Sequence, residues 1–242
     1  MTDAQTPPQG LLEQVSRAHA RVLGLLDGRD DGWVRADTAL PGWTRGHVLK
    51  HLADNARALD RQARFALQGR LVDVYDGGPA GRDLSIEQGA SLPLARLREE
   101  LESAQQDLED TWALLTAEDW GRPVSFRNAT VLDTVPARWR EAEIHAVDLA
   151  PGCRPRDWPL PFALHALDFL SARVPEGVRL VLRATDHDFA EALGTGATVE
   201  VSGTVRDLAA WMAGRSTDGP LHTSAGELPE LGPWPAASAP AR

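Results

Sequence analysis

The chain has 242 residues, 43% hydrophobic and 25% charged, an ordinary globular composition with length enough for one large or two small domains. Lys and Arg total 25 against 35 for Asp and Glu, and the formal charge of -10 argues against nucleic acid or an anionic membrane as a partner. A single cysteine, Cys153, excludes an internal disulfide framework and a Cys-rich zinc site, and no apolar run approaches the ~18 residues of a membrane span or forms a signal core. The expectation is a soluble cytoplasmic monomer.

Residues 1–10 read as a disordered lead-in. Leu11, Leu12, Val15, Ala18, Val22, Leu25 and Leu26 recur at helical spacing and predict a first helix over 11–26. Residues 40–44 read as a turn with Thr44 as N-cap of a second helix reaching Gly69, its stripe being Val48, Leu52, Ala56, Leu59 and Ala63. The Gly-rich stretch 71–90 reads as a long connection of the kind that often carries function. A third helix is predicted over 93–115 and a fourth over 132–149. Four helices with one apolar stripe each predict an antiparallel four-helix bundle over 11–150.

Pro151, Gly152, Pro155, Pro159 and Pro161 read as a linker over 151–161. Beyond it the pattern predicts a helix over 162–174, strands over 178–184 and 197–202, and a helix over 205–213. These make a small C-terminal α/β domain over 162–235, followed by a loose tail over 236–242. The fold class is α+β.

The fourth predicted helix carries the chemistry. Beside its core stripe (Val135, Trp139, Ala142, Ala146, Leu149) lie Arg138, Glu141, His145 and Asp148, spaced three, four and three. Glu143 stands about 200° around the helix from Glu141 and belongs to another face. Glu141 and His145, at i and i+4, can share a divalent cation or form an ordinary ion pair. On the second helix His47, His51 and Asn55 are spaced by four beside the apolar stripe. Either histidine can complete a metal site or sit as a half-buried core-edge residue, and spacing does not choose between them. Other signals are weaker: Gly194-Thr195-Gly196 completes no phosphate-loop motif, no G-x-S-x-G elbow is present, and Cys153 has no histidine near it in sequence.

PGWTRGHVLKHLADNARAL (41–59), YDGGPAGRDLSIEQGA (75–90), RWREAEIHAVDL (138–149), SGTVRDLAAWMAGR (202–215) and ELPELGPWP near the end together resemble the mycothiol-dependent maleylpyruvate isomerase family. The resemblance spans nearly the whole chain in order and spacing. It implies a DinB-like metal-binding four-helix domain followed by a C-terminal α/β domain. It also implies His51, Glu141 and His145 as metal ligands, with His47 and Asp148 behind them. Two imidazoles and a carboxylate suit one Zn²⁺ and leave a coordination position open for the sulfur of a thiol cosubstrate, mycothiol. The implied reaction converts maleylpyruvate to fumarylpyruvate by thiolate addition, bond rotation and elimination. A dianionic substrate in a chain of this charge needs local guanidinium groups. Arg215 and Arg82 are the expected catalytic cations, with Tyr75, Arg82, Arg138 and Asn55 binding substrate or cosubstrate. Trp43 and Trp139 are expected to pack near the site mouth. The alternatives are a mycothiol S-transferase that conjugates electrophiles and a non-enzymatic metal-binding sensor bundle.

Overall fold

The computed structural model describes residue 7, residues 10–149 and residues 151–235, so most of the expected lead-in and all of the expected tail lie outside it. The chain divides into two compact units, Met1–Pro151 and Gly152–Arg242. Among the described residues no helix is long and apolar enough to cross a membrane.

The first unit is helical: α1 (Leu11–Gly24), α2 (Asp31–Arg35), α3 (Arg45–Leu67), α4 (Gly78–Gly89), α5 (Leu94–Ala113) and α6 (Val131–Leu149). Four of these form the bundle, α1 packing on α5 and α6, and α3 packing on the same two. Its interior is the predicted stripes: Val15 and Val22, Leu52 and Leu59, Leu97 and Leu101, Val135 and Ala142 are all fully buried. Each such Val or Leu side chain contributes roughly 1.5–3 kcal/mol by leaving water. Thr44 does cap α3, and His47 closes the box by accepting the Thr44 N–H on Nδ1 at 3.1 Å. The five-residue α2 was not legible in the pattern. Its Asp30 accepts the Trp33 N–H at 2.8 Å, and its Asp31 accepts the Leu94 N–H at 2.8 Å. Asp31 thus caps α5, which begins after Pro93 with no cap of its own.

One expectation is corrected here. The stretch 71–90 is not an extended loop, because Gly78–Gly89 is helical, with Pro79 in its first turn. The glycines that suggested a loop serve close packing. A Cβ on Gly81 would lie 1.9 Å from the Asp76 carbonyl oxygen, and one on Gly89 would lie 2.5 Å from the Lys50 side chain of α3. The helix tolerates their poor propensity because only glycine lets α4 lie so close to its neighbours.

The second unit begins within the stretch read as a linker, where residues Pro155–Asp157 form a 3-10 turn and Trp158 is buried against Phe162, ring centres 5.2 Å apart. Then follow α7 (Leu160–Leu170), β1 (Val178–Ala184), β2 (Ala190–Gly194), β3 (Ala197–Gly203), α8 (Val205–Met212) and β4 (His222–Thr223). The predicted helix over 162–174 ends earlier, passing into a 3-10 turn at Ser171–Arg173. Sheet order is β2-β1-β3-β4, with β1 and β3 parallel and the outer pairs antiparallel. Strands β2 and β4 were not predicted. Gly194-Thr195-Gly196 carries the chain from β2 across the start of β1 to β3. A Cβ at Gly196 would meet the Gly177 carbonyl oxygen at 2.0 Å, so the glycine pair serves a tight crossover. Thr204 caps α8 by accepting the Asp207 N–H at 3.1 Å.

Candidate functional site

Helix α6 projects Glu141 and His145 from one face, and α3 brings His51 to meet them. Among the described residues these three are the group able to hold a metal ion, their ligand atoms all within 4.8 Å of one another. His51 Nε2 lies 2.8 Å from Glu141 Oε2, His145 Nε2 lies 3.4 Å from the same oxygen, and the two imidazole rings meet edge to face at 4.9 Å. Tetrahedral zinc with legs of about 2.0–2.1 Å separates its ligand atoms by about 3.3 Å, and the two contacts to Glu141 Oε2 lie on either side of that value. His145 Nδ1 lies 2.8 Å from Asp148 Oδ2, whose carboxylate is almost wholly buried. An Nδ1–H donated there frees Nε2 as a ligand and orients the ring, an arrangement characteristic of histidines on metals. The residues fit a divalent cation.

The charges of the cluster are tightly coupled. Burial opposes charge on Glu141, yet hydrogen bonds from His145 and His51 overcome it and hold the carboxyl well below the usual range. Burial pushes His51 down. On His145 burial is outweighed by Asp148 and Glu141, which raise it.

The other expected residues fall into distinct places. His47 spends Nδ1 on the Thr44 cap and places Nε2 3.6 Å from Glu87 of α4, outside the ligand group. Trp43 stands at the site, its ring 5.6 Å from that of His51. Trp139 instead faces Glu143, which lies 3.3 Å from Arg21 of α1. Arg82, on α4, sets Nη2 3.3 Å from His51 Nδ1, gives Nη1 to Asp83 at 2.7 Å, and lies 5.9 Å from the Tyr75 ring centre. Tyr75 is half-buried and faces Asn55, Arg82 and Glu141. Arg215 lies in the second unit just past α8, where Nη1 donates to the Ala213 carbonyl at 2.8 Å.

Arg138, expected to meet substrate directly, is instead fully buried. Its Nε donates to His19 Nε2, and its Nη1 donates to the Leu52 carbonyl and to Asn55 Oδ1, each at 2.9 Å. His19 Nδ1 in turn lies 2.5 Å from Glu109 Oε1. Glu109, His19, Arg138 and Asn55 belong to α5, α1, α6 and α3, so one polar chain joins all four bundle helices.

Sequence reasoning missed several of these neighbours. His19 interrupts the α1 stripe between Val15 and Val22, and Gln62 interrupts the α3 stripe between Leu59 and Ala66. A polar residue in an apolar stripe was the available signal. Gln62, itself buried, receives the Phe126 N–H at 3.1 Å and donates to the carbonyls of Val72 at 3.0 Å and Asp73 at 3.3 Å. Arg127 and Asn128 take left-handed backbone angles, φ 55° and 52°, and the Arg127 charge reaches Glu141 and Arg140.

Fold and site together define a two-unit protein whose helical bundle carries a His/Glu/His group able to hold a cation. The family model for the mycothiol maleylpyruvate isomerase N-terminal domain matches residues 14–150, and that for the MDMPI C-terminal domain matches residues 157–233. The chain belongs to the mycothiol maleylpyruvate isomerase family. Among solved structures it is similar to a mycothiol-dependent maleylpyruvate isomerase at 28% identity, covering 96% of this chain and 99% of that one with a TM-score of 0.83. A histidine-to-alanine variant of a mycothiol-dependent maleylpyruvate isomerase matches at 27% identity with the same coverage and TM-score. A comparison with curated proteins gives no match.

Proposed function

We propose that the chain is a zinc- and mycothiol-dependent isomerase that converts maleylpyruvate to fumarylpyruvate. The observation that carries this reading is the His51, Glu141 and His145 cluster, backed by Asp148, in a chain of this family. When bound there, Zn²⁺ supplies positive charge that keeps a thiol ionised at neutral pH. The chain's own cysteine, Cys153, is buried, so the thiol is assigned to the cosubstrate.

The thiolate sulfur bonds to the double-bond carbon β to the ketone, and the π electrons move to the ketone oxygen as an enolate. The former double bond is now single and rotates. Return of the electron pair re-forms it in the trans arrangement and expels the thiolate, so no net proton is consumed. The protein's task is to meet the enolate charge and hold the carboxylates. Tyr75 suits the first role, because burial pushes its pKa up and keeps the phenol proton available to donate. Arg82 supplies a guanidinium beside it, and Asn55, held by Arg138, orients the hydroxyl. Arg215 is proposed as a further carboxylate partner.

The test is direct: metal-loaded protein, mycothiol and maleylpyruvate are mixed and loss of the cis isomer is followed. Turnover that requires both thiol and metal is expected. Absence of turnover with full metal occupancy refutes the reading.

A further inference from the structure

A cavity of about 190 Å³ opens between α3, α4 and the segment that joins them. Its wall includes Asp54, Arg57, Arg61, Tyr75, Arg82 and Ser85. Two of these, Tyr75 and Arg82, also face the cation site, Arg82 through His51. The cavity therefore lies one side chain away from the chemistry.

Size limits the occupant. At ~30 Å³ per water the space equals about six waters, and it falls short of the ~300–1,000 Å³ that takes a drug-sized ligand. It suits one hydroxylated ring, not a whole cosubstrate.

Charge limits it further. Every guanidinium in the wall already faces a carboxylate: Arg57 is 3.3 Å from Asp54 and 3.2 Å from Glu100, Arg61 pairs with Asp76, and Arg82 pairs with Asp83 at 2.7 Å. Asp54 also accepts from Lys50 and from the Ser85 hydroxyl, each at 2.8 Å. An anion entering here finds Arg57 and Arg61 already paired and meets Asp54 and Asp76. A cation meets the guanidinium groups. A neutral polyol faces no such conflict, since each hydroxyl donates to a carboxylate and accepts from a guanidinium, and the wall offers both in alternation.

We propose that this cavity binds a neutral polyhydroxylated ring and serves as the subsite for the sugar or cyclitol end of the thiol cosubstrate. The assignment of that ring to the cosubstrate rests on the isomerase reading above. Seating the ring here raises the effective concentration of the attached thiol at the neighbouring cation site without any new contact to the sulfur.

The experiment uses the full-length, metal-loaded chain in two arms. In the first, saturation-transfer NMR is recorded with myo-inositol as probe and succinate as a dianionic control, on wild type, Asp54→Asn and Ser85→Ala. Saturation of myo-inositol, its loss in Asp54→Asn and its weakening in Ser85→Ala are expected, with succinate unaffected by either substitution. In the second, KM is measured for mycothiol and for N-acetylcysteine, which carries the thiol without the rings. Asp54→Asn should raise KM for mycothiol roughly tenfold, leaving kcat and the KM for N-acetylcysteine near wild type. Equal effects on both thiols assign Asp54 a structural role and overturn the proposal. So does succinate competing with myo-inositol, or myo-inositol binding that survives both substitutions. If no thiol supports turnover yet myo-inositol binds as described, the isomerase reading fails and the polyol site stands.

Discussion

His19 offers the sharpest quantitative test of the polar chain inside the bundle. Arg138 is a permanent donor, so the 2.9 Å contact makes His19 Nε2 an acceptor and leaves Nδ1–H to donate to Glu109. A protonated ring would turn N–H against N–H at Arg138. Burial, then the Arg138 charge, accordingly lower the His19 pKa from 6.5 to about 4. The fold thus favours neutral His19. Its contribution is fully present above the unfolded value and is lost as pH falls from there through the folded one. The gap is worth about 3 kcal/mol in all, of which about 2 kcal/mol is gone by about pH 5. Glu143 acts in the opposite sense, since burial raises its carboxyl to about 7 and the fold gains stability as it protonates. Wild-type stability alone therefore hides the effect. The informative quantity is the difference between wild type and His19→Gln, measured by urea unfolding followed through tryptophan fluorescence at equal metal load. At about pH 7.5 the variant should be the less stable, and by about pH 5 that deficit should shrink by about 2 kcal/mol. A deficit that stays constant across this range refutes a neutral, Arg138-facing His19.

The remaining predictions concern the site. His51→Ala should remove most bound metal while His47→Ala leaves most of it, read by metal analysis of the purified proteins. Asp148→Asn should weaken metal retention by roughly 10- to 100-fold in a chelator competition, through loss of the contact that orients His145. Arg82→Ala removes a cation 3.3 Å from a ligand ring, so the same competition should show metal held several-fold more tightly while isomerisation falls. Arg215→Lys should lower turnover by about 30- to 1,000-fold with metal content unchanged, because an ammonium cannot reproduce a bidentate fork; near-normal turnover would remove Arg215 from catalysis.

Much of the helical unit was legible because α1, α3, α5 and α6 each bury a periodic apolar stripe, and periodicity is what a sequence displays most openly. The failures have physical causes. Helix α4 was hidden because Gly81 and Gly89 answer to packing against Asp76 and Lys50, while local propensity counts them as breakers. Helix α2 is a single short turn whose main role is to lend Asp31 to another helix. Strand β2 is exposed over most of its length and lacks the β-branched run that marked β1 and β3. At the site, the i, i+4 pair Glu141 and His145 was visible as a candidate, whereas choosing His51 over His47 needed the family resemblance. Spacing could not show that His47 is committed to a helix cap. Arg138 was misplaced for a related reason: facing the same side as Glu141 does not say how deep a side chain lies.

Gln62 has a consequence for motion. One buried amide holds both the Val72–Asp73 backbone and the Phe126 turn, the two irregular segments flanking Tyr75 and Arg127. Swinging out either segment alone strands part of that amide without water, at about 1–3 kcal/mol. The cheaper excursion lifts both together and lets solvent reach the whole side chain at once. Opening of these two segments, about fifty residues apart in the chain, is thus coupled through the Gln62 amide.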